Sequence, residues 1–244
     1  MSSFHPVSVT RLYRMIADQI AGRIRIGDFL PGERLPSERE LAEQLEVSRP
    51  SIREALIALE IEGYVEVRVG TGVFVAQPKQ EDKSGESSEQ KVLLSDIGPF
   101  DLMAVRILIE PECASLAAQN ASEQQIALIE AAANDLRGSV TPRAADRAFH
   151  VAIAEASGNM ALSNTVLHLM NLRDSSAVLS RLEQHFVTHK VWQLAEVEHD
   201  RIFQAIQAGD ADAARQAMHL HLVGIRDRLR EDFSADADLT LIGK

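Results

Sequence analysis

No run of about 18 consecutive apolar residues occurs in this 244-residue chain, so no segment reads as a membrane span. The N-terminus also lacks a basic stretch followed by an apolar one, the pattern of a secretory signal. A soluble, cytoplasmic protein is the expectation. Cysteine is nearly missing: Cys113 is the single one, so no internal disulfide forms, and its apolar neighbours point to a small core side chain. No internal repeat is found, which leaves solenoid architectures out.

Positive net charge is lacking as well, and the formal value of -11 looks wrong for a nucleic-acid binder. The deficit is unevenly placed. Residues 1–80 carry 10 Lys/Arg against 11 Asp/Glu, whereas residues 81–244 carry 15 against 25. All but one of the N-terminal cations are arginine, the side chain whose fork matches phosphates and guanine edges, so the local patch matters more than the total.

Pattern divides the chain into residues 1–77, a polar linker at 78–98, a helix-period region at 99–232 and a tail at 233–244. The fold class expected is mainly α: an N-terminal winged helix-turn-helix plus a C-terminal all-α antiparallel helical bundle. The first region opens with a scaffold helix from about Val9 to Ile26. Ser37 and Glu40 have the spacing of a capping box and start a short helix running through Leu45. A second short helix begins near Ser48, with Pro50 tolerated in its first turn because the early N–H groups have no helical partner.

In that second helix Ile52, Ala55, Leu56 and Leu59 share one face at about 100° per residue. Arg49 and Arg53, four apart, share an adjoining stripe near the N-terminal end, which a recognition helix presents to the major groove. Tyr64 to Val75 alternates apolar and polar residues around Gly70-Thr71-Gly72 and reads as a β-hairpin, the wing. The plainer reading makes these arginines solvated surface on a small α/β domain. It must treat the capping box, the arginine-bearing helix and the glycine-tipped hairpin, in that order, as coincidences.

Leu35-Pro36-Ser37-Glu38-Arg39-Glu40-Leu41-Ala42, Val47-Ser48-Arg49-Pro50-Ser51-Ile52-Arg53-Glu54-Ala55-Leu56 and Gly63-Tyr64-Val65-Glu66-Val67-Arg68 resemble the winged helix of the GntR family. The resemblance implies that Arg39, Arg49 and Arg53 contact the operator and that Gly70 enters the minor groove. Ser48, Ser51 and Arg68 complete the expected DNA-facing set. It also implies a homodimer on a palindromic site in double-stranded DNA, in keeping with paired recognition helices.

In the second region the histidines carry the chemistry. Asp146 and His150 lie four apart on one helix beside Phe149 and Ile153. His199 shares a face with Trp192, Ala195, Ile202, Phe203 and Ile206, and His221 with Ala214, Ala217, Met218 and Ile225, whereas His219 falls on the opposite face. Three inward imidazoles and a carboxylate on three helices suit a divalent metal, with zinc first and nickel or manganese as alternatives. Taken singly, a histidine on an apolar face is more often a hydrogen-bonded core residue; four convergent polar groups favour the metal. His5, His168, His185 and His189 lack such support and are expected at the surface or in packing roles.

Arg106 and Glu110 share an inward face with Leu102, Cys113 and Ala117. Either Glu110 satisfies Arg106 internally, or Arg106 takes an effector carboxylate. Val105-Arg106 through Glu110, Asp146-x-x-Phe149-His150, Ser157-Gly158-Asn159, Glu198-His199 and His221-Leu222 resemble the helical ligand domain of the FadR branch of the family in its metal-binding form. That likeness implies Asp146, His150, His199 and His221 as metal ligands. Within the branch, Ile97 to Leu102 and Arg11-Leu12-Tyr13 are similar to regulators of hexuronate catabolism.

The expectation is a homodimeric repressor of sugar-acid catabolism genes, of hexuronate or aldonate type, relieved by a small carboxylate effector near the metal. The alternative is the same architecture sensing lactate or a dicarboxylate. An acyl-CoA sensor is disfavoured by polar imidazoles in the pocket. A metal-dependent enzyme is disfavoured because no additional general base is evident and the winged helix would be idle.

Overall fold

The computed structural model describes residues 12–77 and 97–230, which fall into two compact units separating between Gly98 and Pro99. His5, the expected helix start at Val9, Arg11, most of the expected linker and the expected tail lie outside the described residues.

In the first unit, α1 (Leu12–Arg25) buries Tyr13, Ile16, Ala17, Ile20 and Ala21, a spacing of three and four that makes one apolar stripe. The stripe packs on α3 (Arg49–Ile61). Between them, α2 (Glu38–Leu45) starts at the expected capping box: Ser37 Oγ accepts the Glu40 N–H at 3.3 Å, and the Glu40 carboxylate accepts the Ser37 N–H at 2.8 Å. Two N-terminal donors that lack helical partners are thereby satisfied. Ile52, Ala55, Leu56 and Leu59 of α3 are buried as the periodicity requires, and complete burial of a side chain such as Leu56 contributes about 1.5–3 kcal/mol. Ile57 and Ala58 are buried too, so α3 is the unit's central helix rather than a surface one.

The hairpin of β1 (Val65–Arg68) and β2 (Gly72–Val75) pairs Val65 with Val75 and Val67 with Val73, all four buried. Sequence periodicity shows only these two strands. The structure adds the segment after the Leu30-Pro31-Gly32 turn, which bridges Arg34 to Phe74 and donates Leu35 N–H to the Val73 carbonyl at 2.8 Å. The outer edge of β2 is thus occupied instead of open to strand addition. At Gly72 the backbone has φ 123°, an angle that favours glycine, and an added Cβ would displace the exposed Arg34 side chain, whose Nε would lie 2.7 Å away.

The second unit is a bundle of α4 (Pro99–Asn120), α5 (Glu123–Leu136), α6 (Pro142–Ala156), α7 (Met160–Ser175), α8 (Ala177–Phe186), α9 (His189–Gln207) and α10 (Ala211–Arg228). Helix α10 lies along α4, and α6 packs against α4, α5 and α7. Small residues permit the approach: Ala114 and Ala117 of α4 and Ala214 of α10 are fully buried. Around them Cys113, Phe149, Ile153, Ile202, Ile206, Met218 and Leu222 form one apolar cluster. Ser122, Asn159 and Asp210 cap α5, α7 and α10 with side-chain acceptors, so the helix starts are locally encoded.

Burial, with the Glu110 charge nearby, pushes the Cys113 thiol up to about 12, which leaves roughly one part in ten thousand as thiolate at pH 8. Native protein is therefore expected to ignore a disulfide-exchange reagent such as DTNB and to release one equivalent of thiol on denaturation. Stoichiometric reaction of the native chain within minutes would contradict the placement of Cys113.

Candidate functional site

Two sets of side chains carry candidate chemistry, one in each unit. In the first, Ser48 caps α3 by accepting the Ser51 N–H at 3.3 Å, and the two hydroxyls sit 2.8 Å apart. Arg49 leaves the cap exposed, with 45% of its side chain accessible, and Arg39 projects from α2, also exposed and 3.6 Å from Glu43. On the wing, Arg68 pairs with Glu66 at 2.9 Å and lies 4.5 Å from the Phe74 ring centroid, while Gly70 turns the tip with φ 79°. Ser51 and Gly70 are half-buried, and Arg39, Ser48, Arg49 and Arg68 are exposed.

Arg53 is not. The expected stripe of Arg49 and Arg53 is corrected here: Arg53 is 1% exposed and turns into the unit, where Nε and Nη2 donate to the two oxygens of Glu38 at 2.8 and 2.5 Å. Glu38 opens α2 and is itself buried, so two charges withdrawn from water hold each other in a fork. Arg49 Nη2 also lies 3.7 Å from the same carboxylate. Arg53 therefore braces α2 against α3 rather than facing outward.

In the second unit, α6 contributes Asp146 and His150, α9 His199 and α10 His221, all buried, and one ligand atom from each lies within 4.8 Å of the others. Imidazole centroids are 5.5 Å apart for His150 and His199, 5.3 Å for His150 and His221, and 4.8 Å for His199 and His221. Phe149 stacks on His199 at 4.1 Å and helps fix its ring. Nε2 of His150, His199 and His221 has no hydrogen-bond partner among the described residues. Buried nitrogens without partners are costly, and a divalent cation among them would remove that cost. His219 is exposed, as the helical angle predicts, and so are His168 and His189, while His185 is half-buried.

A second layer orients these groups. Glu110 Oε2 lies 2.5 Å from His150 Nδ1, and Glu198 Oε2 lies 2.7 Å from His221 Nδ1. The Glu198 contact is a hydrogen bond, and a carboxylate bonded to Nδ1 selects the tautomer that leaves the His221 Nε2 lone pair for a cation; Glu110 is a close charge beside His150. Asp146 is paired with Arg173 and lies 3.4 Å from His199 Nε2. Burial alone would raise Asp146, yet Arg173 and then His150 hold it well below the usual carboxylate range. Glu110 behaves alike, with Arg106 and His150 overcoming burial to bring it to about 2. Burial pushes His221 down to about 4 and lowers His199, so both rings stay neutral near pH 7, as metal ligation requires. His150 is raised: burial opposes its charge, and Glu110 and Asp146 outweigh burial.

Beside Asp146 is a cavity whose polar lining is Arg106, Arg173, Glu183 and Arg228 and whose apolar lining includes Met103, Leu179, Trp192 and Leu229. Arg106 Nε donates to Glu110 at 2.6 Å, and the residue is buried. Arg173 and Arg228 were missed in the sequence. Arg173 follows Val166, Leu169 and Met170 at helical spacing, and Arg228 follows His221 by seven, so the periodicity that placed the histidines also turns both arginines inward. Buried Nε of Arg228 has no partner among the described residues, and one oxygen of Glu183 is spent on Arg143 at 2.5 Å.

Residues 12–75 match the sequence profile of bacterial regulatory proteins of the gntR family, and residues 101–224 match that of the FCD domain. The chain is 34% identical to the Exu regulon transcriptional regulator of Escherichia coli (strain K12), over 96% of its own length and 92% of that protein. It is 35% identical to the Uxu operon transcriptional regulator of the same organism, over 94% of this chain and 91% of the other. With the HTH-type transcriptional regulator LutR of Bacillus subtilis it shares 35% identity over 84% of this chain and 95% of that one. Among solved structures, Streptococcus agalactiae GntR aligns with a TM-score of 0.44 and 28% identity, over 88% of this chain and 99% of that one.

Arg53→Ala strands the Glu38 charge in the interior and is expected to cost about 3–5 kcal/mol of the first unit's stability. Arg49→Ala, at an exposed position, should stay within about 0.5 kcal/mol. Urea denaturation followed by far-UV circular dichroism distinguishes them, and equal midpoints for the two variants would refute the brace.

Proposed function

Since the chain belongs to the gntR family of bacterial regulatory proteins and carries an FCD domain, we propose that it is a homodimeric repressor of sugar-acid catabolism genes, released from a palindromic operator by a carboxylate effector. Its whole-length relatives are transcriptional regulators, and DNA binding by the winged helix is common ground with them. None of the described helices is long and apolar enough to cross a membrane; action on a bacterial operator would place the chain in the cytoplasm.

On the DNA side, Arg39 and Arg49 with the Ser48 and Ser51 hydroxyls approach the major groove, and Arg68 and Gly70 carry the wing to the minor groove. Arg53 contributes indirectly, by holding α2 against α3 so that two exposed guanidiniums keep one geometry.

Effector sensing is carried by one observation: Asp146 belongs both to the imidazole cluster and to the wall of an arginine-lined cavity. Asp146, His150, His199 and His221 would hold a divalent metal, zinc first by donor type, with nickel and manganese as alternatives. A cation held there supplies Lewis-acid attraction for an oxygen of the effector. Arg228, with a spare buried donor, and Arg106 attract its carboxylate, while Glu183 and Trp192 bound the space left for the rest of the molecule. Because bound effector favours one arrangement of the bundle, operator affinity falls by the same coupling free energy, typically about 1–3 kcal/mol.

Likeness to the Exu and Uxu regulators favours hexuronate-type acids. A second reading, lactate or a related small acid, is favoured by 35% identity over 94% of the chain to an L-lactate dehydrogenase operon regulatory protein of Escherichia coli. Calorimetric titration of metal-loaded protein with sugar acids, lactate and dicarboxylates separates the two, and saturable binding of lactate alone would overturn the sugar-acid assignment.

Two outcomes follow. Arg49→Ala and Arg39→Ala are each expected to weaken binding to the chain's own upstream DNA by about 1–3 kcal/mol in mobility-shift titrations; unchanged affinity in both would remove the assigned reading head. His199→Ala combined with His221→Ala should abolish bound metal and blunt the effector response, and full occupancy of that variant by elemental analysis would eliminate the site.

A further inference from the structure

The cavity wall and the imidazole cluster are joined by two chains of the same composition. Arg106 donates to Glu110 at 2.6 Å, and Glu110 lies 2.5 Å from Nδ1 of His150. Arg228 donates to both oxygens of Glu198 at 3.3 and 3.4 Å, and Glu198 lies 2.7 Å from Nδ1 of His221. In each chain the arginine belongs to the cavity wall, the carboxylate sits in the middle, and the imidazole has an Nε2 with no hydrogen-bond partner among the described residues. The two are built from different helices: α4 and α6 supply the first, α9 and α10 the second.

Each part limits the next. Glu198 is the group that holds the His221 ring through Nδ1, and its own orientation is set by the Arg228 fork. A carboxylate held from both ends keeps the ring in one tautomer and one rotamer. Without the arginine, the carboxylate gains freedom to rotate, and the imidazole loses the constraint that aims its lone pair. Simple neutralisation of a buried charge would need one cation anywhere near Glu198; the observed fork onto both oxygens, with the third member on Nδ1, fixes direction as well as charge.

We propose that Arg106 and Arg228 are positioning residues of the metal centre, each acting through its carboxylate, Glu110 or Glu198, on one metal-binding imidazole. The inference rests on reading the cluster as a metal site. It makes the effector cavity and the metal centre share their orienting groups. An anion that engages Arg228 from the cavity then perturbs the carboxylate that aims His221, and the two occupancies are linked even where their ligands do not touch.

Arg228 offers the cleaner test, because it lies near the C-terminal end of α10 and is partly accessible, whereas Arg106 is 2% exposed. The full-length chain is stripped of metal, and zinc affinity is measured by competition with a chromophoric chelator, with no effector present. The variants are R228M, R228K, E198Q and the R228M/E198Q double variant, each checked for native helix content and melting in the apo form. R228M and E198Q are each expected to bind zinc about 10-fold or more weakly, and the double variant no more weakly than E198Q alone, since the arginine acts through the glutamate. R228K, which keeps charge without the fork, should fall between wild type and R228M. The visible d–d bands of the cobalt-loaded protein should shift in R228M, reporting altered ligand geometry.

Wild-type zinc affinity in R228M, or penalties that multiply in the double variant, would overturn the relay while leaving the metal centre intact. Should R228M fail to fold, R228K decides, and wild-type affinity there overturns the relay equally. A wild-type chain that takes up neither zinc nor cobalt would instead sink the metal reading and the relay with it.

Discussion

The described residues of both units depend on one electrostatic constraint: a carboxylate taken out of water is shared between two basic groups. Glu38 lies between Arg53 and Arg49, Glu110 between Arg106 and His150, Asp146 between Arg173 and the imidazoles, and Glu198 between Arg228 and His221. Burying a charge with no partner costs more than most single interactions return, and for Glu110, Asp146 and Glu198 the neighbouring cations hold the carboxyl below its usual range despite burial. Each carboxylate has at least one partner on another helix, and the charges therefore help fix how helices meet as well as which side chains turn inward.

That constraint divides labour within the first unit. Helix α3 is buried nearly all round, with Ile52, Ala55, Leu56 and Leu59 on the apolar side and Arg53 held by Glu38 on another. What remains exposed at its N-terminal end is Arg49 beside the Ser48 cap, with 45% of its side chain accessible. Identity of the exposed side chains can vary without disturbing the scaffold, whereas Glu38 and Arg53 can only change together. In the second unit the same principle yields a cluster whose inner nitrogens are deliberately left over, and the aliphatic packing of α4, α6, α9 and α10 keeps them there.

Much of this was legible in the sequence, because the signals are local. A capping box announces the start of α2, alternation around Gly70-Thr71-Gly72 announces the wing, and a 100° step places Asp146, His150, His199 and His221 inward while putting His219 outside. What escaped was the pairing of charges across elements. Glu38 and Arg53 are 15 residues apart, Glu198 and Arg228 30, and Asp146 and Arg173 27, and no helical period links members of different helices. Arg53 was misread for that reason: its angle relative to Arg49 was right, but the buried carboxylate waiting opposite belongs to another helix. The third segment of the wing, Arg34 against Phe74, was missed because a single bridge leaves no alternation to see.

A last consequence comes from the sealed thiol of the second unit. Cys113 is the chain's single cysteine and lies in the apolar cluster. A cysteine introduced at an exposed site, such as Thr71 on the wing or Leu108 on α4, would be the one handle open to a spin label or fluorophore, without first removing the native residue. With both sites labelled, movement of the wing on ligand addition becomes a measurable distance while Cys113 stays in place.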